Sequence, residues 1–157
     1  MYPNLWPDEL KILVIDDEQD FLNIIRLSLE PAGFRVLRTN KPEEGLALAL
    51  REDPDLLILD LTMPTLDGIE LLRRVRRDPR MGKVPVIIVS ARINNLNQRR
   101  IDQLLGHPAT SIDACLGKPF EPGHLLKTVK EVLLNHRDEL FQKKKFGGKP
   151  WSQQEVV

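Results

Sequence analysis

The sequence predicts an α/β fold: a doubly wound, five-stranded parallel sheet with helices on both faces. Three observations predict it. Short apolar runs alternate with helix-period segments along the chain. Most of those runs lack period-2 alternation, as strands buried on both faces do. Five strand-then-helix units follow one another, which calls for right-handed crossovers over a parallel sheet.

Taken in order, "KILVID" (11–16) reads as a buried strand, and "QDFLNIIRLSLEPAG" (19–33) as a helix ended by Pro31 and Gly33. Its apolar stripe is expected to be Phe21, Ile24, Ile25, Ser28 and Leu29. "FRVLRT" (34–39) alternates, as a half-exposed edge strand does, and "KPEEGLALALRED" (41–53) opens a helix with Pro42 and two acids. "DLLILD" (55–60) is a strand, "GIELLRRVRRD" (68–78) a helix, and "VPVIIVS" (84–90) a strand. "NNLNQRRIDQLLG" (94–106) reads as a polar helix and "IDACLG" (112–117) as a weaker strand. "EPGHLLKTVKEVLLNHRDEL" (121–140) reads as one last long helix with Leu125, Leu126, Val129, Val132 and Leu133 inward. The expected organisation is an extension over 1–10, the domain over 11–136, and a helix end with a mobile basic tail over 137–157.

Composition narrows the function. Lys plus Arg (23) equals Asp plus Glu (23), so no global field draws nucleic acid or a membrane surface. The single cysteine, Cys115, excludes an intrachain disulfide and a Cys-cluster zinc site, and is read as a small buried hydrophobe. The N-terminal stretch lacks the apolar core of a signal peptide, and the apolar runs are short of a membrane span. A cytoplasmic protein with no membrane or nucleic-acid partner is expected.

In open parallel sheets, ligands bind beyond the carboxyl ends of the strands. There the first strand ends in Asp16-Asp17, the third in Asp60 and the fourth in Ser90, while Lys118 lies just past the fifth. Clustered carboxylates repel unless they share something positive, and Mg2+ with its hard oxygen ligands suits them. Lys118 and Ser90 supply a cation and a hydroxyl for an anionic group near Asp60. The set points to phosphoryl transfer onto the Asp60 carboxylate. Mg2+ is expected on Asp17, Asp60 and the backbone carbonyl of Thr62, with Asp16 acting through water.

These residues carry a resemblance. "ILVIDDE" (12–18), "DLTMPTLDG" (60–68), "VIIVSA" (86–91) and "KPF" (118–120) resemble, in order and strand context, the receiver domain of two-component response regulators. The resemblance implies a flavodoxin-like sheet of strand order 2-1-3-4-5 and a cis Lys118-Pro119 bond. It also implies a phosphoryl donor that is a histidine kinase or histidine phosphotransfer protein. Such a domain is a signalling module rather than an enzyme, catalysing only its own phosphorylation and dephosphorylation. Thr62 and Arg92 are expected to tune the lifetime of the phosphoryl group.

The chain departs from the family near the fifth strand. Most receivers carry Tyr or Phe three residues before the lysine, where this chain has Cys115. The glycine-alanine pair that commonly precedes this strand is absent, and "GHPATSID" (106–113) reads as an insertion. Two readings follow: a stand-alone phospho-accepting receiver with an unknown downstream protein, or a phosphorylation-independent interaction or dimerisation module. A phosphatase of the haloacid-dehalogenase type requires a second Asp two residues after the nucleophile; position 62 is Thr.

Overall fold

The computed structural model describes residues 9–61, 68–91 and 111–145. Five strands form one parallel sheet: β1 (Lys11–Ile15), β2 (Arg35–Thr39), β3 (Leu56–Asp60), β4 (Val86–Ser90) and β5 (Ala114–Gly117), in the order β2-β1-β3-β4-β5. The helices are α1 (Gln19–Leu29), α2 (Pro42–Glu52), α3 (Gly68–Arg77), α4 (Pro122–Asn135) and α5 (Arg137–Lys145). The expected fold and strand order are both found. The predicted helix over 94–106 lies outside the described residues.

Strands β3 and β4 are buried at every position, which is why their sequences read as unbroken apolar runs. Pleating sends alternate residues to opposite faces. Ile12, Val14, Leu56, Ile58, Ile87 and Val89 pack with Leu22, Ile25 and Leu29 of α1 and with Leu125, Val129, Val132 and Leu133 of α4. Leu13, Ile15, Leu57, Leu59, Val86 and Ile88 pack with Ala49 of α2 and with Leu71, Leu72 and Val75 of α3. β2 is an edge strand and is only half covered.

Two local expectations are corrected. The buried stripe of α1 is Leu22, Ile25 and Leu29, while Ile24 is 40% exposed and Phe21 is half-buried. The true stripe keeps the i, i+3, i+7 spacing, and Phe21 lies at its margin. The last helix is also two helices. α4 ends at Asn135 and is capped by His136, whose imidazole Nε2 lies 2.6 Å from Asp113 Oδ1; a new helix starts at Arg137. That second helix carries chain expected to be mobile, Phe141–Lys145, against the body, with Leu140 and Lys143 buried.

The chain reverses its winding between β1 and β3, since β2 is added on one side and β4 and β5 on the other. A crevice opens at such a switch point beyond the carboxyl ends. Asp16 follows β1 and Asp60 ends β3, so the two acids flank that crevice.

Candidate phosphoryl-acceptor site

Each rim residue reaches the crevice by its place in a strand register. Ile15 pairs with Leu59 across β1 and β3, and Asp60 pairs with Val89 across β3 and β4. Ser90 pairs with Gly117, and the Lys118 amide continues the ladder by donating to the Ser90 carbonyl at 3.0 Å. The sheet thus sets the acids, the hydroxyl and the lysine on one rim. The Lys118-Pro119 peptide is cis, as the resemblance implies.

The lysine is the centre of the site. Its Nζ donates to Asp16 Oδ2 at 2.6 Å and to Glu18 Oε1 at 3.3 Å, and lies 3.5 Å from Asp60 Oδ2. Asp16, Asp60, Ser90 and Lys118 are all buried. One oxygen each from Asp16, Asp17, Glu18 and Asp60 lie within 4.8 Å of one another. Three of these carboxylates therefore meet one ammonium, with Asp17 in the same cluster.

Titration of the buried pair follows from this crowding. Burial pushes the Asp16 carboxyl above its ordinary value, and the Lys118 ammonium and the Glu18 amide only partly offset it. Burial alone would lower Lys118, but the Asp16 hydrogen bond and the fields of Asp16, Asp60 and Glu18 outweigh it and hold the lysine above its ordinary value. The lysine is a fixed cation at neutral pH.

Local backbone chemistry prepares these positions. Asp16 Oδ1 accepts from the Glu18 amide at 2.9 Å, which folds the chain into α1. Glu18 is the N-cap residue of α1 but makes no side-chain capping bond, and its carboxylate turns to Lys118 instead. At the other acid, Gly68 opens α3 hard against the strand end. A Cβ there would lie 2.3 Å from the Asp60 carbonyl oxygen and 2.6 Å from Leu61 Cα. The Gly68 amide donates to the Leu61 carbonyl at 3.1 Å, so glycine is what lets α3 start this close to the acid.

Of the residues singled out in the sequence, Asp16, Asp17, Asp60, Ser90 and Lys118 are all found on the rim. Thr62 and Arg92 lie outside the described residues. Glu18, Phe21, Phe120 and the close approach of Gly68 were not foreseen. Glu18 had a signal, as the next acid after the Asp pair; the contact of Phe21 with the lysine, 97 residues away by number, had none. Cys115 is only half-buried and pairs in register with Ile88; burial raises its thiol above the ordinary value.

The residues fit a hard divalent cation, since every donor in the cluster is a carboxylate oxygen and no soft ligand takes part. An α/β sheet with an acidic switch point and a buried lysine describes a class, and comparison gives it a family. Residues 12–130 match the response regulator receiver domain, and the chain belongs to that family.

Among relatives, the alkaline phosphatase synthesis transcriptional regulatory protein PhoP of Bacillus subtilis is 34% identical over 123 residues, covering 78% of this chain but 48% of that protein. The chain thus spans about half the length of that relative. Protein PilH of Pseudomonas aeruginosa is 32% identical over 78% of this chain and 97% of its own length. Among solved structures, the chemotaxis protein CheY4 of Vibrio cholerae superposes with a TM-score of 0.70 at 27% identity, over 80% of this chain and 99% of that one. The expected family and fold are both met. Among the described residues no helix is long and apolar enough to cross a membrane.

Proposed function

We propose that this chain is a phospho-accepting receiver whose nucleophile is the Asp60 carboxylate, and that it signals through changed protein contacts. The observation that carries the reading is the Lys118 ammonium, buried 3.5 Å from Asp60 inside a cluster of four carboxylates. A structural ion pair needs one acid; the surplus suits a site that receives a cation and a phosphoryl group.

Asp16, Asp17 and Asp60 would hold Mg2+, with Glu18 beside them and the Thr62 carbonyl as a further expected ligand. When bound, Mg2+ neutralises phosphoryl oxygens and lowers the repulsion between the acids. The chain's own residues do the rest. An Asp60 oxygen attacks the phosphorus of a phosphohistidine on a histidine kinase or phosphotransfer protein. The P–N bond breaks, an acyl phosphate P–O bond forms, and the released imidazole takes a proton from solvent. Lys118 pairs with the oxygens of the transferred group, and the Ser90 hydroxyl donates to one of them afterwards.

The phosphoryl group carries about −1.5 to −2 but replaces the −1 of the Asp60 carboxylate, so a net change of about −0.5 to −1 acts on the surface next to the rim. Acting as a near-complete switch requires a preference for the active state of about 5.5 kcal/mol. Cys115 in place of an aromatic ring predicts weaker or rerouted coupling, and the same feature favours the second reading, a module that binds or dimerises without phosphorylation.

Incubation with acetyl phosphate and Mg2+, followed by intact mass, separates the readings. Gain of one phosphoryl group, lost on chelation and in Asp60→Asn, is expected. No gain overturns the first reading in favour of the second.

A further inference from the structure

We propose that Phe21 is a positioning residue for Lys118: its ring, backed by Phe120, sets where the lysine ammonium sits relative to Asp60. The proposal rests on reading Asp60 as the phosphoryl acceptor. It starts from a contact that three carboxylates do not explain. Lys118 Nζ lies over the face of the Phe21 ring, 4.1 Å from its centroid. That is well inside the distance at which a ring quadrupole attracts a cation, and the ammonium here is almost wholly removed from water.

Phe21 is not needed where it stands for the core. The stripe that α1 buries is Leu22, Ile25 and Leu29, and Phe21 lies beside it, half-buried. Phe120, two residues beyond the lysine, packs on the core through its partly buried ring. The two rings meet with centroids 6.1 Å apart and planes tilted by 51°, an ordinary aromatic pair. One ring thus comes from the start of α1 and the other from the loop after β5. Phe21 meets the lysine directly, and Phe120 meets Phe21.

The acids alone would place the ammonium badly. Asp16 holds it at 2.6 Å and Glu18 at 3.3 Å, whereas Asp60 lies at 3.5 Å. The Glu18 side chain is 53% exposed, so without an opposing surface the lysine is free to follow it toward solvent. A ring face attracts the charge without taking an N–H donor, which leaves those donors for oxygen acceptors. Leucine would fill the same space and remove the attraction; tyrosine would keep it.

The experiment compares the full chain with its Phe21→Leu and Phe21→Tyr variants. Two quantities are read: the initial rate of phosphoryl gain from acetyl phosphate with Mg2+, and the Lys118 methylene resonance in protein made with labelled lysine. The expected result is a fall in rate of about three- to thirtyfold in the leucine variant, and a change of less than about twofold in the tyrosine variant. The resonance, displaced by the ring in the natural protein and in the tyrosine variant, should return to the ordinary lysine position with leucine.

A leucine variant that changes only one of the two readouts, or neither, overturns the proposal. So does a tyrosine variant as slow as leucine. Should the leucine variant fail to fold, Phe21→Met takes its place. If the natural protein gains no phosphoryl group while the resonance is displaced and returns with leucine, the contact stands but its role at Asp60 falls with that reading.

Discussion

The two ends of the sheet each bury a lysine against aspartate, and they differ in balance. At the carboxyl end, Lys118 meets three carboxylates of a four-acid cluster. At the opposite end, Asp55 is wholly buried and accepts from Lys143 Nζ at 2.9 Å and from the Lys11 amide at 2.7 Å, with Lys144 Nζ at 3.2 Å. Lys143 also donates to the carbonyls of Asp53 at 2.9 Å and Pro54 at 3.1 Å, just past the end of α2, and lies 3.3 Å from the Asp53 carboxylate. Two acids meet two lysines there, and the donors of Lys143 are spent on fixed oxygens. Burial of a lysine–aspartate pair therefore does not mark a site. Surplus charge of one sign at a switch point is what supports the proposed reading of the rim.

Removing the lysine from the balanced end gives the largest expected effect. Lys143→Ala leaves Asp55 buried without its closest side-chain partner, and should cost about 3–5 kcal/mol of stability in urea unfolding. α5 docks through this contact, so the same loss is expected on truncation after His136. A change below about 1 kcal/mol would show that the α5 contact is incidental.

Gly68→Ala comes next. Its methyl would meet the Asp60 carbonyl, so α3 must shift, at about 1–3 kcal/mol, and phosphoryl gain should slow with it. Unaltered stability and rate would refute the close approach.

His136 offers a pH test at the balanced end. The hydrogen bond to Asp113, then the field of Asp113, hold its imidazole above the ordinary 6.5. Burial raises the Asp113 carboxyl, but His136, the Val86 amide and Arg76 outweigh it and hold it below 3.8. The histidine's contribution is present in full below pH 6.5 and lost as pH climbs through its raised value. That of Asp113 is present in full above pH 3.8 and lost as pH falls through its lowered one. His136→Gln should cost about 1 kcal/mol at pH 6 and flatten the decline above 6.5 in a series of unfolding curves.

The smallest effect has the opposite sign. Asp60→Asn relieves the crowded end and should gain about 1 kcal/mol or less in magnesium-free buffer. A loss of stability there would mean that the acids are balanced after all.

Much of this was legible in the sequence. Strands β1, β3 and β4 announce themselves because residues buried on both faces must be apolar, and their terminal acids then stand out against that background. Asp16 and Asp60 were readable for that reason, and Ser90 and Lys118 by their places at or just past strand ends in the same order. What stayed hidden depends on contacts between distant segments. Lys143 looks like part of a solvated lysine run, and its burial is explained by partners on Asp53, Pro54 and Asp55, 88 to 90 residues away. The break at His136 has no Pro or Gly to signal it; it coincides with the bond to Asp113. Phe21 is apolar and falls near a helical stripe, so periodicity assigns it to the core, whereas its ring faces an ammonium.

The proposed function has the surplus acids at the rim serve one nucleophile, Asp60. It is tested most directly by treating the protein with acetyl phosphate and Mg2+, reducing the acyl phosphate with borohydride, and locating the reduced residue by peptide mass spectrometry. Reduction is expected at position 60 alone, and none when Mg2+ is chelated. Reduction at Asp16, Asp17 or Glu18, or none at any position, would contradict it.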